Sequence, residues 1–439
     1  MIGDKIPPRD RWDPIDEALY GPEDLFKVRV EEADKLRLGA VRSSFNRHYT
    51  RNRFYHTLCE QRGVAPEDVK TLDDLAKVPL ITDAIFKQYP EPEKLIAWLR
   101  GISCDDVKYP KVEGSSYEEL INRLNEFGLK VIFSSGTSGR SSFFPRDRIT
   151  LMREKHFRIH FYRFLGHDAD EYVVELGPDC AKIHPNWVIA HTAASDNHRF
   201  HKEDRINYMV NIDATADIVR TVMGQGDKTG RFQGKEKLKR LREGARDADR
   251  LTFQMLDDLN EKGVKGKIGG SPPLLNGFLS WMEDSGKTLK LGDRWIVQTG
   301  GGSLISPEAL YERVERLLGV PSENCRDIYG LSETPVAFPS CEGHYYHIAH
   351  TLLHPFVLDD ELEPMGYGEF GRFAFIDPSA HAYPGYIITG DRIKLLESCP
   401  SCDKPSPVIS HSITRAPGAE DRGCAAMVTK LMTEVASGA

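Results

Sequence analysis

The sequence predicts an α/β protein, and three observations carry that reading. Between residues 130 and 335 short apolar or β-branched runs (KVIF, YVVELG, KIGG, RWIVQTG, CRDIYG) alternate with helix-like stretches at 148–165, 234–262, 272–284 and 306–318. Such alternation predicts strands linked through helices in a largely parallel sheet. Before it, from about 28 to 130, apolar residues recur at three-to-four spacing with Pro79, Pro90 and Pro92 as breakers, which predicts an N-terminal helical layer. After about 345 the helical spacing stops, and strand-like runs (LLHPFVLD, GRFAFID, YIITG, RIKLLE) follow one another between glycines and prolines, as in an antiparallel or barrel-like subdomain.

Composition narrows the class. The chain has 439 residues, 40% apolar and 28% charged, enough for a large core. Lys and Arg number 58 against 66 Asp and Glu, a net charge of -8 that supplies no general attraction to nucleic acid or an anionic membrane surface. No apolar run approaches the roughly 20 residues a bilayer demands, and MIGDKIPPRD does not resemble a signal peptide, so a cytoplasmic location is expected. Eight cysteines in so long a chain are expected to be reduced, and paired ones are to be weighed first as metal ligands. The stretch 233–250 mixes Lys and Arg with Glu and Asp at helical offsets and reads as a solvated helix face.

The most informative segment is VIFSSGTSGRSSFFPRD, residues 131–147. Glycines 136 and 139 free backbone N–H groups for an anion-binding concavity, and the hydroxyls of Ser134, Ser135, Thr137 and Ser138 can donate to phosphate oxygens. It is neither a Walker loop nor a GxGxxG dinucleotide turn, and an ordinary Ser/Gly turn is the plain alternative.

SSGTSG directly after a strand resembles the phosphate loop of the adenylate-forming superfamily of acyl-CoA ligases, aryl-CoA ligases and luciferase-like enzymes, and three further segments share the resemblance in the same order. IYGLSETP, residues 328–335, resembles its second core motif; YIITGD, residues 386–391, its third; and QTGGGSL, residues 298–304, the glycine-rich strand end on which adenine lies. The resemblance implies that Tyr329, beside Gly330, stacks on adenine, that Ser332 stands at the α-phosphate, that Glu333 holds Mg²⁺ and that Asp391 accepts from both ribose hydroxyls. Glycines 301 and 302 would lie under the base, Gly136 and Gly139 with Thr137 under the phosphates, and Arg415 is a further phosphate contact. A metal carboxylate is the right chemistry, because the metal neutralises charge on the departing pyrophosphate.

Cys341 and His347 precede the Cys399/Cys402 pair of SCPSCDK, and three thiolates with one imidazole would complete a structural tetrahedral zinc site. His344 competes with His347, and an unmetallated or redox pair is the alternative. Cysteine-rich sites of this kind resemble those of phenylacetate-CoA ligases.

The full-length superfamily carries a mobile C-terminal domain with a catalytic lysine after the third motif. Here that domain is expected to be absent or vestigial, and Lys430 is not nominated in its place. The ending ITRAPGAEDRGC, residues 413–424, resembles the acyl-protein synthetases, the fatty-acid-to-protein ligases, in which a cysteine near the C-terminus is the acyl acceptor. Cys424 sits at that position, with Arg422 beside it to favour the thiolate; a packed structural cysteine is the alternative. The organisation expected is an adenylation core over 1–345 with its helical layer, a strand-rich subdomain over 346–412 holding the zinc knuckle, and a short tail over 413–439.

The function expected is ATP- and Mg²⁺-dependent activation of a carboxylic acid as an acyl adenylate, followed by transfer to a thiol: Cys424 itself, coenzyme A, or a carrier or reductase protein. Thr137 and Glu333 would serve the first step and Cys424 the second. The rival is a degenerate nucleotide-binding scaffold within a reductase or transferase complex. The acyl pocket is expected from 157–200 and 269–281, and the sequence does not choose the acid.

Overall fold

A computed structural model describes residues 6–87, 92–111, 117–133, 143–178, 200–210, 247–301 and 307–416. In chain order the described helices are α1 (Pro14–Tyr20), α2 (Val30–Arg51), α3 (Arg53–Arg62), α4 (Pro92–Ile102), α5 (Tyr117–Glu126), α6 (Arg148–Phe164), α7 (Ala248–Glu261), α8 (Pro272–Asp284) and α9 (Pro307–Leu318). The described strands are β1 (Ile81–Thr82), β2 (Lys130–Phe133), β3 (Phe143–Arg146), β4 (Tyr172–Pro178), β5 (Ile206–Val210), β6 (Gly266–Gly269), β7 (Trp295–Gln298), β8 (Cys325–Arg326), β9 (Ile328–Gly330), β10 (Ala337–Pro339), β11 (Tyr346–His347), β12 (His354–Leu358), β13 (Pro364–Met365), β14 (Phe370–Ile376), β15 (Tyr386–Leu396), β16 (Val408–Ile409) and β17 (Thr414–Arg415).

The helix starts follow local chemistry. Asp13 caps α1 by accepting from the backbone N–H groups of Ile15 and Asp16, both at 2.8 Å, ahead of Pro14 in the first turn. Asp147 caps α6 through Thr150 N at 3.0 Å, so the chain passes from β3 into this helix through one residue. Proline opens α8 in the same way.

The alternating middle of the chain forms a parallel sheet in the order β5-β4-β6-β7-β8. Helices α7, α8 and α9 bury Leu256, Leu259, Leu275, Phe278, Val314 and Leu317 against Val174, Ile268, Trp295 and Val297 of its strands. That core is separate from a larger one. The larger core joins the N-terminal helices and the β2–β3 hairpin to the strand-rich C-terminal region, running from Ile15 and Phe45 through Phe144 and Phe157 to Phe373, Tyr386 and Ile409.

The C-terminal sheet runs β11-β16-β15-β14-β12-β13, with its described internal pairings antiparallel. Two short strands join β15 from elsewhere. Ile81–Thr82, from the helical layer, pairs with it in parallel, and Thr414–Arg415, beyond the expected 412/413 boundary, pairs with it antiparallel, Asp391 opposite Arg415. YIITG and RIKLLE, read as two strands, are one eleven-residue strand through Gly390 and Asp391. CRDIYG, read as one strand, is two: β8 closes the parallel sheet, while β9 leaves it to pair with β10. Of the helix expected over 234–262, residues 248–261 are helical and 234–246 lie outside the described residues.

Candidate active site

The second and third motifs meet. β9 puts Tyr329 at the head of the β9–β10 hairpin, and its hydroxyl donates to Asp391 Oδ2 at 2.6 Å. Arg415 Nη1 donates to the other oxygen, Oδ1, from the facing position on β17. Asp391 is buried, so its charge is held by a phenol and a guanidinium rather than by water. Burial pushes the Tyr329 phenol well above its ordinary range, and the neighbouring carboxylates of Asp391 and Glu333 push it further. The phenol is therefore a fixed donor. Burial lowers the Arg415 guanidinium pKa, but Asp391 first, then Tyr329 and Glu333, raise it by more, so these side chains share one electrostatic environment. The Tyr329 ring stacks on Phe338 at 5.4 Å with 28° between planes.

The strand end entering QTGGGSL lies against the same hairpin. A Cβ on Gly300 would sit 3.2 Å from Ile328 Cβ, so glycine lets the two backbones approach, and Gly301 has φ +103, the left-handed region that only glycine enters freely. Gly302 lies outside the described residues. Between the two segments half-buried Asp327 is held on both oxygens: Tyr346 donates to Oδ2 at 2.5 Å, Thr299 Oγ1 donates to Oδ1 at 2.7 Å, and its own backbone N–H donates to Ser340 Oγ at 2.8 Å. Burial raises the Asp327 carboxyl pKa, and the Tyr346 and Thr299 hydroxyls restrain that rise.

Ser332 and Glu333 follow, half-buried, in the connection between β9 and β10 and are held through their backbone carbonyls. Arg146, fully buried at the end of β3, donates from Nη2 to Ser332 O at 2.9 Å and from Nη1 to the Tyr383 hydroxyl; that hydroxyl in turn donates to Glu333 O at 2.8 Å. Arg146 Cζ lies 5.5 Å from the Tyr383 ring centre, and Glu154 stands 3.8 Å from Nε. Thr334 donates to buried Asp377. Arg146 falls within the segment 131–147 and Thr299 within QTGGGSL, whereas no motif contains Tyr383 or Asp327. The loop itself, with Ser134, Ser135, Gly136, Thr137, Ser138 and Gly139, lies outside the described residues, as does Cys424. Of the residues expected around the acyl group, Phe161 and Phe278 are buried in the two cores.

A separate group lies where β11 pairs with β16. Cys341, His347, Cys399 and Cys402 bring their ligand atoms within 4.8 Å of one another, and His344 is not among them; its ring lies 5.0 Å from Tyr311. Cys341 Sγ is 3.7 Å from Cys399 Sγ, and Cys402 Sγ is 3.4 Å from His347 Nε2. A tetrahedral zinc at about 2.3 Å from sulfur and about 2.0 Å from nitrogen would place its ligands about 3.5–3.8 Å apart, which is the spacing of both of these pairs to within about 0.1 Å. Ser406 Oγ meets His347 Nδ1 at 2.7 Å, leaving Nε2 for a metal, and Ser401 N donates to Cys399 Sγ at 3.4 Å. Burial lowers the His347 pKa to about 3, so the ring is neutral, as a ligand must be.

The structure is similar to an open conformation of 2-hydroxyisobutyryl-CoA ligase, solved in complex with 2-HIB-AMP and CoA, at a TM-score of 0.60 and 14% identity, with 94% of this chain and 80% of that chain covered. The fold is that of the adenylate-forming ligases. Over residues 305–433, a stretch holding Tyr329, Glu333, Asp391, Arg415 and all four residues of the Cys/His group, the chain matches the family described as acyl-protein synthetase, LuxE. It is 22% identical over 413 residues to the long-chain-fatty-acid–luciferin-component ligase of Vibrio harveyi, covering 92% of this chain and 90% of that relative. The same ligase of Aliivibrio fischeri is 22% identical over 410 residues, with 91% and 88% covered. The resemblance read from the motifs, to the adenylate-forming enzymes and to the acyl-protein synthetases among them, is borne out. Among the described residues no helix is long and apolar enough to cross a membrane.

Proposed function

We propose that this protein uses ATP to activate a carboxylic acid as an acyl adenylate and then passes the acyl group to a thiol. The observation that carries this reading is the junction of Tyr329 and Asp391 at 2.6 Å, which unites two motifs 62 residues apart into one surface beside the Gly300–Gly301 strand end. On this reading ATP lays its adenine along Tyr329 and its ribose on Asp391, displacing Arg415 from one carboxylate oxygen so that the guanidinium turns to phosphate. Glu333 would hold Mg²⁺, which would neutralise charge on the departing pyrophosphate, while Ser332 and Thr137 steady the α-phosphate and the acid's oxygen attacks phosphorus in line as pyrophosphate leaves. The protein's contribution to that step is positioning and charge compensation. Long-chain fatty acids, named for the two bacterial relatives, are the first acids to test, and Cys424, with coenzyme A and a carrier protein as rivals, is the first acceptor. Zinc in the Cys341/His347/Cys399/Cys402 group would be structural, pinning the turn after β15 to β11. The free, buried cysteines among the described residues fit a reducing, cytoplasmic setting.

The experiment is pyrophosphate–ATP exchange across a panel of carboxylic acids, with intact mass spectrometry afterwards. The wild type should exchange with at least one acid, and Glu333→Gln should lose about a hundredfold or more, the scale of one removed charge-stabilising group. Exchange that survives Glu333→Gln undiminished would sink the assignment. A thioester mass that disappears in Cys424→Ser identifies the acceptor; acid-dependent consumption of coenzyme A with no adduct assigns it to the cofactor instead.

A further inference from the structure

Away from this cleft, three titratable side chains meet where the chain leaves α6, enters β4 and approaches β5. His167, Glu171 and His201 have no exposed side-chain surface. His167 Nδ1 lies 2.7 Å and His201 Nε2 3.0 Å from the same carboxylate oxygen, Glu171 Oε1, and the three ligand atoms lie within 4.8 Å of one another. The other nitrogen of His167, Nε2, lies 2.7 Å from Gln298 Oε1. Where the amide oxygen of Gln298 is the acceptor at this contact, Nε2 carries the ring proton, and in a neutral imidazole Nδ1 is then a bare lone pair. It faces another acceptor at hydrogen-bonding distance. Glu171 Oε2 and His201 Nδ1 are buried with no hydrogen-bond partner at all. Opposed acceptors and a half-satisfied buried carboxylate call for a cation between them, since an uncompensated charge in such a place is costly.

We propose that His167, Glu171 and His201 form a second divalent metal site, of the zinc class, independent of the cysteine group. Two imidazole nitrogens and one carboxylate suit a borderline ion, and Gln298 takes the place of the outer acceptor that fixes the tautomer of a ligating histidine. An ion at about 2.0–2.1 Å from each donor would hold them about 3.3 Å apart, so Glu171 has to withdraw by only a few tenths of an ångström. Its second oxygen is available to complete the shell. The walls exclude water: the Tyr162 ring lies 5.4 Å from both imidazoles and Phe200 stacks on it at 4.8 Å. Lys267 stands over the same ring at 5.1 Å, but Glu175 lies 3.1 Å from its ammonium and compensates its charge. Through Gln298, the last residue of β7, the ion would anchor the strand end that runs into Thr299 and the glycines of the cleft.

Titration of metal-free full-length protein with Co²⁺ tests this, because the two sites have different colours. The cysteine group gives a sulfur-to-metal charge-transfer band, whereas a histidine–carboxylate site gives visible d–d bands alone. Uptake of about two equivalents is expected, one with each signature, and His201→Gln should remove the pure d–d component and about one equivalent while leaving the charge-transfer band. Visible bands without any charge-transfer band would still support this site and fail the cysteine group. Wild-type protein that shows only the thiolate signature, or a folded His201→Gln protein that keeps both, overturns the proposal and leaves a proton shared within the triad. Should that variant not fold, the wild-type titration decides alone.

Discussion

Glu333 and Asp391 are held in opposite ways. Asp391 is gripped through its side chain, by Tyr329 and Arg415, while the segment of Glu333 is gripped through its backbone, by the Arg146–Tyr383 pair. Tyr383→Phe removes one hydroxyl and leaves two buried partners, Glu333 O and the Arg146 guanidinium, short of a bond, which costs about 1–3 kcal/mol. We expect a measurable drop in melting temperature and a fall of about tenfold or more in pyrophosphate exchange, with rigid placement of Glu333 as the cause. A Tyr383→Phe enzyme with an unchanged exchange rate would separate this relay from function. The sequence exposed Tyr329, Glu333, Asp391 and Arg415 because each stands inside a motif or beside one. It hid Tyr383, and it gave no role to Thr299 or Asp327 although they lie within and beside motifs, because those roles come from tertiary proximity: Arg146 and Tyr383 are 237 positions apart and carry no spacing signal.

At the scale of elements, the parallel sheet was legible where a short apolar run precedes an amphipathic helix, as β6 precedes α8 and β7 precedes α9, and α8 and α9 fall within one residue of their expected bounds; KVIF, expected in that sheet, pairs antiparallel with β3 instead, and β5 is not among the expected runs. The errors have local causes. β8 and β9 were read as one strand because nothing in CRDIYG signals a break; the turn at Asp327 is made by Thr299, Tyr346 and Ser340, all distant in sequence. Gly390 and Asp391 looked like the end of a strand, yet the ladder with β14 continues past them through an irregularity between Arg372 and Ala374. Ile81–Thr82 is too short to show a period. One glycine in the sheet is fixed by packing rather than by a turn. Gly266 pairs with Trp295, and a Cβ there would lie 2.5–2.8 Å from three carbons of that fully buried ring. Gly266→Ala should cost about 1–3 kcal/mol through forced movement of the indole, lowering the melting temperature by several degrees. Calorimetry of that variant checks the sheet directly, and an unchanged melting temperature would mean that the β6–β7 contact is looser than described.

The molecule as a whole is joined by a seam of uncharged histidines between its N-terminal helices and its C-terminal sheet. His48 of α2 meets Ala380 O at 3.2 Å, His350 meets Val28 O at 2.9 Å while its own carbonyl accepts from Arg37 at 2.6 Å, and His354 opens β12. Burial is the first cause in each case, and it lowers the pKa of His48 to about 3, of His350 to about 4 and of His354 to about 3, with Arg37 lowering the last two further and Arg47 the first. In the unfolded chain each takes up a proton near its ordinary value of 6.5. Between that value and the folded one the unfolded state binds more protons, so stability is complete above about 6.5 and is lost as pH falls, by about 1.4 kcal/mol per pH unit for each such residue. Burial raises the carboxyl pKa values of Asp327 and Asp377, and these two groups act in the opposite sense. The melting temperature should therefore fall steeply between about pH 6.5 and about pH 5, well before the ordinary carboxylate range is reached. Because the larger core spans this seam, loss of near-ultraviolet circular dichroism from its tyrosines should accompany the fall. A melting temperature that stays flat down to about pH 5 would show that these histidines are solvated or charged in the folded protein, and the seam would not be what holds its two ends together.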